Sequence, residues 1–207
     1  MNSGNNAKSI MIQYCRKLYD KGLMPGKDGN VSLRVDQEMV IVTPSGVCKG
    51  TVTEDELVFM KVTGEVISGS KQSSETPMHL AAYKIRKDAG AVIHAHRRSI
   101  GAFALAGKPI DTRYAPFAYL HLGKIGSVPY ITPGSAGLHE AVAEALSSGH
   151  AAIILLSHGS LVIGRDIQDA VEKLDMLEAY ADMLLKAQLL GGAKILSDKE
   201  LGEITQG

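Results

Sequence analysis

The chain has 207 residues, 45% of them hydrophobic, which suffices for a sizeable core and fits a single domain over residues 1–207. Twenty-two basic residues balance 22 acidic ones, and no segment interleaves basic with aromatic residues, so nucleic acid and anionic membrane are not expected partners. No apolar run approaches the ~20 residues a membrane helix needs. The start, Met1-Asn2-Ser3-Gly4-Asn5-Asn6, is polar and unlike a signal peptide. Cys15 and Cys48 have no metal spacing and read as reduced packing residues of a cytoplasmic protein.

In chain order, Ala7, Ile10, Met11, Tyr14, Cys15 and Leu18 recur at helical spacing, and Gly22 suits the stop of a helix over 7–22. Pro25 to Asn30 is a loop of turn formers. Val31–Val35 and Met39–Thr43 read as strands joined at Asp36-Gln37, followed by a tight loop at Thr43-Pro44-Ser45-Gly46. Thr53-Glu54-Asp55-Glu56 is a capping box for a short helical turn. Leu57–Val62 and Glu65–Ser68 form a hairpin around Thr63-Gly64. Ser73-Ser74-Glu75-Thr76-Pro77 reads as a helix start, with the helix over 76–88. Ala91–His96 is a buried strand and Ser99–Ala106 a helix. Residues 110–127 carry no clear period. Val128–Ile131 is a short strand, Gly134-Ser135 opens a helix to about Ser147, and Ala151–Leu156 and Leu161–Ile163 are strands. Asp166–Leu190 is a long amphipathic helix stopped by Gly191-Gly192. Ser197 to Glu200 opens a last helix with another capping box. Hairpins mixed with helices, without regular strand–helix alternation, point to an α+β or layered α/β/α domain on a largely antiparallel sheet.

Three histidines carry the chemistry. His94 and His96 alternate on one strand and so share a face, which is a start for a zinc-like site. His158 follows the apolar run Ala151–Leu156. If that strand lies beside the one bearing His94, three imidazoles converge and leave an open position, the pattern of a catalytic metal. Glu75 supplies a carboxylate at a helix start. Gly29-Asn30, Ser45-Gly46 and Ser73-Ser74 each offer short donors and backbone N–H groups that can cradle an anion without a lysine. His79, one turn beyond Glu75, reads as packing or as an orienting partner.

Gly29-Asn30-Val31-Ser32, Thr43-Pro44-Ser45-Gly46, Ser73-Ser74-Glu75, His94-Ala95-His96 and His158-Gly159 occur in this order. With these five blocks the chain resembles the class II aldolase/adducin family, most closely its L-fuculose-phosphate-aldolase-like members, over about residues 7–190, leaving a short tail at 191–207. The resemblance implies an α/β/α sandwich and homotetramers with active sites near subunit interfaces. It implies one divalent metal ion per subunit, zinc foremost, on His94, His96 and His158. It makes Glu75 the acid/base, which also ligates the resting metal. It gives Gly29, Asn30, Ser45, Gly46, Ser73 and Ser74 to the substrate phosphate, and Tyr114 to protonation of the aldehyde.

The implied activity is cleavage of a small ketose 1-phosphate to dihydroxyacetone phosphate and an aldehyde, through a metal-stabilised enediolate. Such chemistry needs a Lewis acid, a carboxylate to move the proton at carbon, and a phosphate grip that positions the ketone. Three departures bear on the substrate. Epimerases of this family carry Asp where Glu75 stands, which favours the aldolase branch over a pentulose-phosphate 4-epimerase. The C-terminal tyrosine that aldolase relatives borrow from a neighbouring subunit is missing, since Tyr180 is the last tyrosine. Arg97-Arg98 directly follow His96 and could hold a carboxylate, as suits a decarboxylase of a 3-oxo acid phosphate. Alternatively, they serve an ion pair between subunits. A non-catalytic, adducin-like head would lack the metal histidines; all three are present.

Overall fold

A computed structural model describes residues 2–206, with side chains placed from Asn6 to Thr205. Eight strands form one sheet in the order β4-β3-β2-β1-β5-β8-β7-β6. They are β1 (Asn30–Arg34), β2 (Met39–Val42), β3 (Val58–Lys61), β4 (Val66–Ser68), β5 (Ala91–Ala95), β6 (Ile125–Val128), β7 (Ala152–Leu155) and β8 (Gly159–Gly164). Every pairing is antiparallel except β6 with β7, which is parallel. The expected layered, mostly antiparallel α/β/α sandwich is therefore the fold.

Helices cover both faces. The helices are α1 (Asn2–Asp20), α2 (Thr76–Ile85), α3 (Arg98–Leu105), α4 (Pro116–Leu122), α5 (Ala136–Ser147), α6 (Ile167–Leu189) and α7 (Asp198–Gln206). Strand alternation sorts the core into two layers. Val31, Leu33, Ala91, Ile93 and Ala95 pack with α1, α3, α4 and α6. Val40, Val42, Val92, Leu161 and Ile163 pack with α2 and α5. The phase of β5 thus turns Val92 and His94 towards the layer that holds α2. The same alternation on β1 turns Asn30, Ser32 and Arg34 that way.

Most boundaries match the sequence reading, the capping box and short turn at Thr53 included, and three corrections have identifiable causes. The edge strand lies at Ile125–Val128, not Val128–Ile131, because Pro129 has no N–H for the ladder. The helix from Thr76 stops at Ile85, where Arg86 turns extended and pairs with Asp88 at 2.7 Å. At Thr53 the capping box forms, with Glu56 Oε2 accepting from the Thr53 N–H at 2.9 Å. A turn follows before the chain enters β3. The strand before His158 does not adjoin the His94 strand, because β8 lies between β7 and β5.

Candidate active site

The three histidines nevertheless meet. His94 is the penultimate residue of β5, opposite Asn30 of β1 and Leu161 of β8. His96 follows the strand. His158 sits in the β7–β8 turn, which β8 carries back to β5. Two backbone features bring that turn close. Ser157 is the one described non-glycine residue in the left-handed region, at φ 56°. Gly159 has no Cβ, and one placed there would stand 2.8 Å from both the Ala95 carbonyl and His96 Cδ2. Ring centroids lie 4.6, 4.8 and 5.3 Å apart, and the candidate ligand nitrogens all fall within 4.8 Å of one another.

Hydrogen bonds settle which nitrogens are free. His94 Nδ1–H donates to the Ser160 carbonyl at 2.9 Å, and His96 Nδ1–H donates to Asp28 Oδ1 at 2.5 Å. A neutral imidazole keeps one hydrogen, so each Nε2 presents a lone pair. Those two lone pairs face each other at 3.0 Å. Neither can donate to the other, but a cation between them satisfies both. Zn–N bonds of 2.0–2.1 Å on a tetrahedron put ligand nitrogens about 3.3 Å apart, close to this separation. Burial, reinforced by the neighbouring rings, holds His94 well below the usual histidine range. Burial, with His96 next, also lowers His158. The His94 and His158 lone pairs are thus available at neutral pH, and His158 Nδ1 is buried without a partner among the described residues. These donors fit a divalent ion.

Glu75 is the N-cap of α2, with its side chain directed into the buried region. Its Oε2 has no hydrogen-bond partner. Burial raises its pKa, against the opposing effect of His96, so the carboxyl is poised to hold and return a proton. It stands outside the set of ligand atoms formed by the three histidines.

The residues expected to cradle an anion come from three loops. Ser45, Lys71, Ser73 and Ser74 line one cavity of about 710 Å³. The isolated bridge between Pro44 and Gln72 holds the first two loops together. Asn30 Nδ2 donates to Ser73 Oγ at 3.1 Å. Two backbone donors of these loops are already committed, Ser45 N–H to the Lys71 carbonyl and Glu75 N–H to Ser73 Oγ. The expectation was a cradle without a lysine, and Lys71 does line the pocket. Gly46 turns the Ser45 loop at φ 70° with open space around it. Gly29 serves close packing: a Cβ there would lie 2.2 Å from the His94 carbonyl oxygen.

Tyr114 is not brought to the histidines within the chain. It ends the 3₁₀ turn Thr112–Tyr114 and packs, half-buried, against the core layer that also contains Tyr180. Arg97 approaches Glu178 at 4.0 Å with its Nε buried and unpaired, while Glu178 accepts from the Ser99 and Ile100 N–H groups that open α3. Arg98 is exposed and shares with His96 and Asp28 a second cavity of about 890 Å³. Asp28 and the full part played by His79 were missed from sequence. The signal for His79 was present. The alternation Asn30-x-Ser32-x-Arg34 puts polar side chains on one face of a strand, and His79 and Tyr83 are one helical turn apart facing them.

A layered α/β domain in which three histidines able to hold a metal ion converge beside a carboxylate defines the class. The chain belongs to the family described as the class II aldolase and adducin N-terminal domain, whose model matches residues 9–185. It is similar to a 3-oxo-tetronate 4-phosphate decarboxylase of Pectobacterium atrosepticum, at 30% identity over 99% of this chain and 95% of the relative. It is also similar to an L-fuculose phosphate aldolase of Methanocaldococcus jannaschii, at 36% identity over 86% of this chain and 95% of the relative. Among solved structures, YgbL of Klebsiella pneumoniae superposes with a TM-score of 0.90 at 26% identity, covering 97% of this chain and 98% of that one.

Proposed function

We propose that the protein is a metal-dependent carbon–carbon lyase acting on a small phosphorylated ketose, with Glu75 returning a proton to carbon after the bond breaks. The observation that carries this reading is the buried, unpartnered Glu75 carboxyl, its pKa raised by burial, beside the histidine centre. A divalent ion on His94, His96 and His158, zinc foremost, would supply Lewis-acid stabilisation of the charge developing on the substrate oxygens.

The chain's own groups do the rest. Ser45, Ser73, Ser74 and Asn30 grip the phosphate, far from the bond that breaks, and so fix the reacting carbon against Glu75. In retro-aldol cleavage of a ketose 1-phosphate, the hydroxyl proton beyond the scissile bond leaves, the bond breaks towards the ketone, and Glu75 protonates the carbon left behind. The products are dihydroxyacetone phosphate and an aldehyde. Tyr114 of a neighbouring copy in a homotetramer would handle the hydroxyl proton. The setting is the cytoplasm.

A second reading shares the Glu75 step. In a 3-oxo acid phosphate the bond to the carboxylate breaks, carbon dioxide departs, and Glu75 protonates the same carbon. Arg98 favours it, being exposed and without an ion pair among the described residues, in the cavity that His96 lines. The 3-oxo-tetronate 4-phosphate decarboxylase relative favours it too. Incubating the metal-loaded protein with a panel of ketose 1-phosphates and 3-oxo acid phosphates, with triose phosphate and carbon dioxide read in parallel, separates the two. Glu75→Gln is expected to lower turnover ~10²–10⁴-fold while retaining metal. Arg98→Ala is expected to impair only decarboxylation. Release of neither product from any substrate would sink both readings.

A further inference from the structure

A chain of buried polar groups runs from the core to the anion cradle. Tyr83 Oη lies 2.8 Å from Ser32 Oγ, and Ser32 Oγ lies 2.8 Å from His79 Nδ1. His79 Nε2 lies 2.5 Å from Asn30 Oδ1, and Asn30 Nδ2 lies 3.1 Å from Ser73 Oγ. Tyr83, Ser32 and His79 are fully buried and Asn30 nearly so, whereas Ser73 opens onto the cavity. Burial pushes the His79 imidazole down to about 3, so it carries a single ring hydrogen throughout the neutral range.

Such a chain can run in two directions, and they are not equivalent. In one, Ser73 donates to Asn30, Asn30 to His79, His79 to Ser32 and Ser32 to Tyr83. The Tyr83 hydroxyl hydrogen is then left without an acceptor in the core, a costly orphan. In the other, Tyr83 donates to Ser32, Ser32 to His79 Nδ1, His79 Nε2–H to Asn30 Oδ1, and Asn30 Nδ2–H to Ser73 Oγ. Every hydroxyl and imidazole hydrogen in the core is then used, while the second Asn30 Nδ2 hydrogen is without an acceptor among the described residues in either direction. The Ser73 hydroxyl hydrogen is left free at the cavity. Ser73 Oγ also accepts from Glu75 N–H at 3.2 Å. Its acceptor capacity is therefore filled.

We propose that His79 is a positioning residue that fixes the polarity of this chain, so that Ser73 meets the substrate phosphate as a hydrogen-bond donor only. The proposal rests on the cradle reading of Ser73. A phosphate oxygen can only accept, so a preset donor avoids reorientation on binding. Without His79 the Asn30 amide can turn over, present its oxygen to Ser73 and take that hydrogen away from the ligand.

Two measurements test this. In protein labelled with ¹⁵N-histidine, long-range proton–nitrogen correlation reads the tautomer, with the His79 signals identified by their loss in His79→Gln. Nε2–H with a bare Nδ1 across pH 6–8 is expected; Nδ1–H overturns the relay. This readout uses the unmodified chain and stands even if a variant fails to fold. Calorimetry with inorganic phosphate on the metal-loaded protein supplies the second. Ser73→Ala is expected to weaken binding about ten-fold. His79→Leu should weaken it several-fold, and His79→Gln, whose amide N–H can reach Asn30, should restore it. The double variant Ser73→Ala/His79→Leu should be no worse than Ser73→Ala alone. With a substrate that the enzyme converts, kcat/KM should fall in parallel with phosphate affinity across the variants. Wild-type phosphate affinity in folded His79→Leu overturns the relay. Wild-type affinity in Ser73→Ala overturns the cradle reading, and with it the relay's purpose, whatever the tautomer.

Discussion

Gly29→Ala is expected to damage the fold and both halves of the site together, where Gly46→Ala damages neither half much. Both glycines occupy the left-handed region, at φ 58° and 70°, where an L side chain costs about 1–2 kcal/mol. Their surroundings differ. At Gly46 a Cβ meets nothing within 4 Å; at Gly29 it would stand 2.2 Å from the His94 carbonyl oxygen and 2.5 Å from Met24 Cε. The methionine can move. The carbonyl belongs to the central strand and cannot, so the loop must retreat by about 1 Å to reach ordinary contact. Overpacking of this kind adds about 1–3 kcal/mol. Gly29→Ala should therefore lose about 2–5 kcal/mol and Gly46→Ala about 1–2. In a chain of this size each kcal/mol lowers Tm by about 2–4 °C. The retreat also carries Asp28 away from His96 and Asn30 away from His79, contacts now both at 2.5 Å. Thermal unfolding, chelator competition for the metal and phosphate calorimetry read the three effects. Equal losses in the two variants, or a Gly29→Ala protein that keeps wild-type metal and phosphate affinities, would refute the reasoning.

Two further outcomes follow from the same geometry. Asp28→Asn keeps an oxygen for His96 Nδ1–H but removes the charge that makes the ring a better donor to metal, so affinity should fall ~10–100-fold with the fold intact; an unaltered metal Kd in chelator competition would count against it. Metal-free protein should lose stability in mild acid through His79. Its folded pKa of about 3 lies below the unfolded value of 6.5, so the unfolded chain gains a proton that the folded one does not. Stability is complete above pH 6.5 and declines as pH falls towards 3, by about 2 kcal/mol between pH 7 and 5 for this residue alone. Urea titrations at the two pH values should show a smaller decline in His79→Gln, and parallel declines would remove His79 as the cause.

The sequence disclosed features whose signal is periodic and local. The 3.6-residue period marked α1 and α6, the alternation and turn residues marked the β1–β2 and β3–β4 hairpins, and the period of two put His94 and His96 together. It was silent where a pattern spreads evenly or depends on pairing. In α4, Phe117 and Leu120 stay exposed while Ala118 and Leu122 are buried, so the apolar residues form no single stripe. His158 stood out by its place after a buried run, but the route that brings it to His94, with β8 between β7 and β5, leaves no local trace. Asp28 read as a turn former because its partner is 68 residues away. Ser73 and Ser74 were read from their local sequence as cradle donors, but which donors remain free depended on the long-range bond from Ser45 N–H to the Lys71 carbonyl.

The loop from Asp28 to Asn30 explains how a metal centre and an anion cradle can be set at a fixed distance by so little chain. Asp28 holds His96, Gly29 packs on the His94 carbonyl, and Asn30 reaches Ser73 through its side chain while its backbone pairs with His94. Beneath them Lys49, buried with its pKa lowered chiefly by that burial, donates to the Val47 carbonyl at 3.1 Å and reaches the Lys27 carbonyl at 3.5 Å. Its ammonium thus ties the Ser45–Gly46 side of the cradle to the Asp28 side of the metal. The proposed lyase would have to hold a phosphate and the oxygens a few bonds away at once, with the carbon between them presented to one carboxyl. Small misplacements cost large factors in rate. Three consecutive residues, clamped from the sheet and from Lys49, leave those two grips little freedom to drift apart.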